Sequence, residues 1–144
     1  MRPAMERTLS IVKPDAVEQN LTGAILEKIE GSGLQVIALR MLHLSQKQAE
    51  DFYAVHRERP FYKSLVEFMT SGAVVVSALQ GDNAIQRYRD LMGATNPEEA
   101  AEGTIRKLYA SNIERNAVHG SDAPETARQE LAFFFRDLDL ARGQ

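Results

Sequence analysis

At 144 residues the chain suits one compact domain whose core buries roughly 68–70% of the surface its unfolded form would expose. Apolar residues at 44% and charged residues at 26% exclude disordered and fibrous classes, and 17 Lys plus Arg against 20 Asp plus Glu leave a net charge of −3, a poor footprint for general nucleic-acid binding. The absence of cysteine excludes disulfides, zinc–thiolate sites and a thiol nucleophile.

No apolar run approaches the roughly 20 residues needed to span a bilayer, and MRPAMERTL lacks the apolar stretch of a signal peptide, so a cytoplasmic location is expected. Residues 1–144 are expected to form a single domain, with 1–4 as a disordered leader or cloning remnant.

Thr8 to Val12 alternates and is rich in β-formers, and Pro14 stops it, which predicts a first strand. Leu21, Ile25, Leu26 and Ile29 recur at helical spacing up to Glu30, with Gly31 and Gly33 beyond. Leu34 to Leu44 reads as a second strand. Ser45 caps a helix from Gln46 to about Val55, and Phe61 to Met69 is another helical piece. Ala73 to Leu79 is a short buried strand between Ser-Gly and Gln-Gly. Asp82 or Asn83 caps Ala84 to Met92, and Gly93 ends that helix. Asn116 to His119 reads as a short strand, and Asp122 as the cap of a last helix with Pro124 and Glu125 in its first turn. Strands separated by helices predict an α+β fold, a ferredoxin-like βαββαβ sandwich with helices over one side of a mostly antiparallel sheet.

Loops of the GxxxxGK[ST] and GxGxxG kinds are absent, as are the HRD and DFG motifs, so the usual backbone cradles for nucleotide phosphates are missing. What remains is a set of cations and polar groups at element ends. Lys13 closes the first strand, and Arg89 sits at the rim of the apolar stripe of its helix. Thr95 follows that helix, where it could equally cap a new one, and Arg106 follows Gly103-Thr104. Asn116 and His119 share IERNAVHGSD. Taken singly, each cation competes with a surface-charge reading, and His119 with that of a structural histidine. His119-Gly120-Ser121 leads into a helix start, which favours a phosphate nearby. Asp122 as the cap would work against that.

ERTLSIVKPDAV (Glu6–Val17), HRERPFY (His56–Tyr62), DLMGATNP (Asp90–Pro97), GTIR (Gly103–Arg106) and NAVHGSD (Asn116–Asp122) together resemble the nucleoside diphosphate kinase family, in register from about Met5 to Phe135. The resemblance implies transfer of the terminal phosphate of a nucleoside triphosphate to a nucleoside diphosphate, by a ping-pong route through a phosphohistidine on His119. It implies Mg²⁺ carried on the nucleotide phosphates, with no metal site of the protein's own. A neutral imidazole suits this role because it is a nucleophile at pH 7 without a separate base. Positioning and charge neutralisation dominate phosphoryl transfer. Lys13, Arg89, Arg106 and Thr95 match residues that hold phosphates, and Asn116 with Lys13 matches groups that reach the sugar. Phe61 matches the ring that stacks on the base, with Ile113 on the other face, which implies broad base tolerance. Tyr53, Ser121 and Glu130 match residues around the histidine, and Glu130 is expected to fix the imidazole.

His56 matches a position that varies and reads equally as a surface residue; His43 reads as structural. Leu108 stands where an acidic residue is usual, Ala73 where Pro is frequent and Ala24 where Glu is common. The short tail implies a homo-oligomer that is tetrameric rather than hexameric. No membrane or specific nucleic-acid partner is expected. A non-catalytic ferredoxin-like RNA-binding module would need a K/R-G-F/Y-G/A-F motif, which does not occur. A pseudoenzyme would leave the intact set of Lys13, Arg89, Arg106 and His119 without a purpose.

Overall fold

A computed structural model describes residues 5–140; the leader expected at 1–4 lies outside them. The chain runs β1 (Glu6–Val12), α1 (Pro14–Glu18), α2 (Thr22–Gly31), β2 (Gln35–Leu42), α3 (Gln46–Phe52), a 3₁₀ turn (Ala54–His56), α4 (Tyr62–Met69), β3 (Val74–Gly81), α5 (Ala84–Met92), α6 (Ile105–Tyr109), β4 (Val118–Gly120), α7 (Pro124–Phe134) and a closing 3₁₀ turn (Asp137–Asp139). The sheet order is β2-β3-β1-β4, and every pairing is antiparallel. This is the ferredoxin-like α+β arrangement that the element order implies.

Helices cover both faces of the sheet, not one. Val12, Val75 and Leu79 pack with Ile25 and Ile29 of α2, Tyr88 and Met92 of α5, and Ile105 of α6. The alternate positions Leu9, Ile11, Val74, Val76 and Ala78 pack with Ala49 of α3, Phe68 and Met69 of α4, and Leu131 and Phe134 of α7. The helices inserted between β2 and β3 thus find the second face, and β3 is buried at all eight positions. Two-sided burial favours a mostly apolar strand, and β3 is apolar at Val74, Val75, Val76, Ala78 and Leu79.

Four local expectations differ. The α5 start has Asn83 in the left-handed region without a side-chain cap, and the free Ile85 N–H donates to Glu6 Oε1 on β1 at 2.9 Å instead. At α7 the cap position is Ala123, whose N–H donates to Thr126 Oγ1 at 3.0 Å, so Asp122 is not the cap. Thr95 starts no helix. The turn there closes from Glu99 N–H to Asn96 O at 3.0 Å, with Asn96 Oδ1 accepting from Glu98 N–H. The last strand also begins later, at Val118, because Ala117 leaves extended geometry with φ of 72°.

Candidate active site

The edge strand β4 is three residues long, and its alternation sets the site. Val118 and Gly120 face α5. A Cβ on Gly120 would lie 2.7 Å from Met92 Cε and 2.8 Å from Tyr88 Cδ2, so close packing, not a special turn, requires glycine there. His119, opposite Ile11 of β1, therefore points to the other face. Its ring meets Phe52 edge-on at 5.5 Å and Tyr53 at 6.5 Å. His119 Nε2 lies 2.9 Å from Glu130 Oε1, and the same oxygen accepts from Ser121 Oγ at 2.7 Å. Ser121 Oγ in turn accepts from Leu9 N–H at 3.2 Å, which ties the group to β1. Burial pushes the Glu130 carboxyl up, but the hydrogen bond and charge of His119 and the Ser121 hydroxyl outweigh it and hold the group below the ordinary carboxylate range. Tyr53 OH is buried without a hydrogen-bond partner; burial, then the Glu130 charge, pushes it up.

Lys13 leaves the end of β1 and donates from Nζ to Asn116 Oδ1 at 2.8 Å. It is only 7% exposed, and burial followed by the Arg106 charge pulls it down to about 8, against the raising effect of Asp15 and Glu114. Arg106 is buried as well. Its Nε donates to Asn116 O at 3.3 Å, Nη1 to Gly93 O at 3.0 Å and Nη2 to Val118 O at 2.9 Å. These three contacts use neutral backbone acceptors. A guanidinium has five N–H donors, so two remain after them. Two buried cations thus sit side by side, a costly arrangement that an anionic ligand would offset.

Arg89 reaches from α5 to Asp122 Oδ1 at 2.6 Å, with both side chains largely exposed. Asp122 stands one residue before the Ala123 cap position, because Pro124 opens α7. Thr95 is exposed on the loop after α5. Phe61, 46% exposed, lies tilted at 56° and 5.4 Å from His56, which stacks at 6.4 Å on Tyr53, so a file of rings leads from His119 to Phe61. Ile113 is exposed beside a cavity of about 350 Å³ that Pro97 and Glu114 also line. Ser64 Oγ of α4 donates to Glu114 Oε2 at 2.8 Å, joining the helix that follows Phe61 to the loop that carries Ile113. The fold therefore links Lys13, Asn116 and Arg106 in one hydrogen-bonded network, joined at Val118 to the strand that carries His119, and His119, Ser121 and Glu130 in another, with Tyr53 against the His119 ring.

The nucleoside diphosphate kinase family model matches residues 6–140. The chain belongs to the nucleoside diphosphate kinase family. A nucleoside diphosphate kinase of Nitratidesulfovibrio vulgaris (strain DP4) is 62% identical over 136 residues, covering 94% of this chain and 98% of that protein. The crystal structure of the Aquifex aeolicus nucleoside diphosphate kinase superposes with a TM-score of 0.94 at 46% identity, over 96% of this chain and 100% of that one. The halophilic nucleoside diphosphate kinase of Halobacterium salinarum, solved in complex with CDP, gives 0.93 at 37% identity, over 98% and 94%.

Nucleoside diphosphate kinases are nucleotide-binding phosphotransferases, and membership makes this chain a kinase. The family also implies a divalent-cation requirement. The cations of this site suit phosphate oxygens, and among the described residues no group of three or more His, Cys, Asp or Glu converges as a metal cage. No helix of the described residues is long and apolar enough to cross a membrane.

Two contacts of the site were not singled out from sequence. Phe52 packs on His119, and Asp15 accepts from Ala117 N–H at 3.1 Å. Phe52 carries no signal beyond being apolar. Asp15 does carry one: an acid directly after Lys-Pro, at the end of a strand that bears a candidate residue.

Proposed function

We propose that this chain moves the terminal phosphate of a nucleoside triphosphate to a nucleoside diphosphate by a ping-pong route through phosphorylated His119, with broad base tolerance, and so maintains nucleoside triphosphate pools. The observation that carries the reading is the Glu130–His119 contact. With Nε2–H donated to Glu130, the lone pair of Nδ1 is the one left for a phosphorus atom. In the first half-reaction Nδ1 attacks the terminal phosphorus, an N–P bond forms, and the P–O bond to the diphosphate breaks with its electron pair leaving on oxygen. In the second, a terminal oxygen of the acceptor diphosphate attacks phosphorus, and the N–P electrons return to Nδ1. Glu130 holds the Nε2 proton and stabilises the charge that the ring gains.

Lys13, Arg89, Arg106 and Thr95 would hold the phosphates, and Asn116 with Lys13 the sugar hydroxyls. Phe61 and Ile113 would sandwich the base, reading its face rather than its hydrogen-bonding edge. Tyr53 and Ser121 would support the histidine. Mg²⁺ fits as the ion on the nucleotide: it keeps most of its ligands as phosphate oxygens and water, and when bound it supplies charge neutralisation. Asp122 is the acidic side chain that meets the phosphate-holding Arg89. The proposal includes a homo-oligomer, tetrameric rather than hexameric, in the cytoplasm. Leu39 at 51% and Met41 at 63% exposure on the edge strand β2 support a contact between copies, and light scattering measures its size.

The test is incubation with terminally labelled ATP and no acceptor. His119 should take up label that acid releases and alkali does not, and addition of any nucleoside diphosphate should discharge it. Retention of label and turnover by His119→Ala would overturn the reading.

A further inference from the structure

Ala117 is a non-glycine residue at φ 72°, and Val118 N–H donates back to Asn116 O at 2.8 Å across it. A hydrogen bond from i+2 to i around a positive φ is the rare, strained form of the γ-turn. Such strain persists only where its surroundings over-determine it. Here the turn stands between Asn116 and the strand that carries His119. Both peptide groups of Ala117 are held by the segment that follows β1. Lys13 N–H donates to Ala117 O at 2.8 Å, and Ala117 N–H donates to Asp15 Oδ2 at 3.1 Å. Asp15 is 95% buried by its 5% exposure, and its other oxygen, Oδ1, has no partner.

We infer that Asp15 is a positioning residue for the phosphoryl-transfer step, acting as a clamp that keeps Ala117 in the strained turn and so sets His119 and Asn116. The argument is geometric. The other groups that hold this turn are backbone or belong to the phosphate-holding set, whereas the Asp15 side chain accepts from the strained Ala117 amide. Without that acceptor, the Ala117 N–H is buried and unpaired, and relaxation of φ toward negative values becomes the favoured outcome. That relaxation rotates the Asn116–Ala117 and Ala117–Val118 peptides, and with them the Asn116 carbonyl that Arg106 holds and the start of β4. Beyond the adjacent Asp15 and Ala16 amides, Ala117 N–H is the donor that reaches this carboxylate. The inference rests on His119 as the phosphorylated group.

The experiment measures single-turnover phosphorylation of His119 by labelled ATP, together with nucleotide affinity, in full-length Asp15→Ala and Asp15→Asn. Each is made in the parent and in an Ala117→Gly background, because glycine takes positive φ without strain. Asp15→Ala should slow phosphorylation at least tenfold, by a larger factor than it weakens nucleotide binding. Asp15→Asn, which keeps an oxygen acceptor, should stay within threefold of the parent. In the Ala117→Gly background the same Asp15→Ala change should cost less than threefold. The Ala117 amide proton should be shifted downfield by the carboxylate in the parent and lose that shift in Asp15→Ala. An equal loss with Ala or Gly at 117, or an unmoved Ala117 amide, overturns the clamp. Should Asp15→Ala not fold, Asp15→Asn and Asp15→Ala/Ala117→Gly carry the same comparison. Failure of the parent to take up label overturns the phosphohistidine reading instead, and the amide shift still tests the clamp.

Discussion

Glu130 Oε1 lies 2.9 Å from His119 Nε2, and the two side chains come from an edge strand and a helix 11 residues apart. The contact selects one ring nitrogen. If Glu130 accepts the Nε2 proton, the phosphate should be found on Nδ1, which phosphorus NMR of the isolated phosphoenzyme distinguishes. A phosphate on Nε2 would sink the assignment. Glu130→Gln removes the charge that stabilises the ring and allows the amide to turn its NH₂ toward Nε2. Turnover should fall about ten- to hundredfold with nucleotide KM little changed. Steady-state kinetics with two different acceptors checks the split.

Arg106 is bound to three carbonyl groups and Leu108 to none of this. Arg106→Ala should therefore do two things at once. It leaves the carbonyls of Gly93, Asn116 and Val118 without their cationic donor, at about 3 kcal/mol of stability by urea unfolding, and it removes a buried charge from the phosphate region, so turnover should fall at least a hundredfold. Arg106→Lys cannot reproduce the fork and should recover little. Leu108 is 49% exposed and lies two residues on, about 200° around α6. Leu108→Asp should leave turnover within twofold. A large gain there would show that the acid usual at this position serves Arg106 after all.

Phe61 stands at the head of α4 and is 46% exposed, so its removal costs the fold little. Phe61→Ala should change stability by less than about 0.5 kcal/mol. A stacked base contributes roughly 1–3 kcal/mol, so nucleotide affinity should fall about tenfold or more, and by similar factors for adenine, guanine, cytosine and uracil nucleotides. Calorimetric titration with the four diphosphates measures this. A loss confined to one base would mean that Phe61 does not act by stacking.

The alternation of Thr8–Val12 and the apolar stripe of Ala84–Met92 were legible because each element buries a face in its own period. So was the candidate set, because its members sit in short motifs at element ends. Other features leave no trace in residue type. Arg106 meets backbone carbonyls, which every residue has. Ala117 adopts a positive φ that nothing about alanine announces. Asp122 looks like a helix cap, but its carboxylate meets Arg89, 33 residues earlier. Two-sided coverage of the sheet did have a signal, the mostly apolar stretch of β3 from Val74 to Leu79 with Ser77 alone between, which an antiparallel sheet with one wet face would not need.

Lys13 ties pH to both stability and binding. Burial, then Arg106, pulls it from 10.5 to about 8, although Asp15 and Glu114 oppose the shift and Asn116 accepts from it. Between about pH 8 and 10.5 the unfolded chain binds more protons than the folded one, so stability rises with pH across that window. Below about pH 8 the fold carries the full cost of the buried cation, on the order of 3 kcal/mol at 1.36 kcal/mol per pH unit. Urea midpoints of the wild type should climb from pH 8 to 10, and those of Lys13→Met should not share the climb. Nucleotide capture moves the other way. If Lys13 holds phosphate as proposed, its deprotonation removes that charge, and kcat/KM should decline above about pH 8. Bound phosphate favours the protonated amine, so kcat should decline only at higher pH. A kcat/KM that stays flat to pH 9.5 would remove Lys13 from the phosphate-holding set.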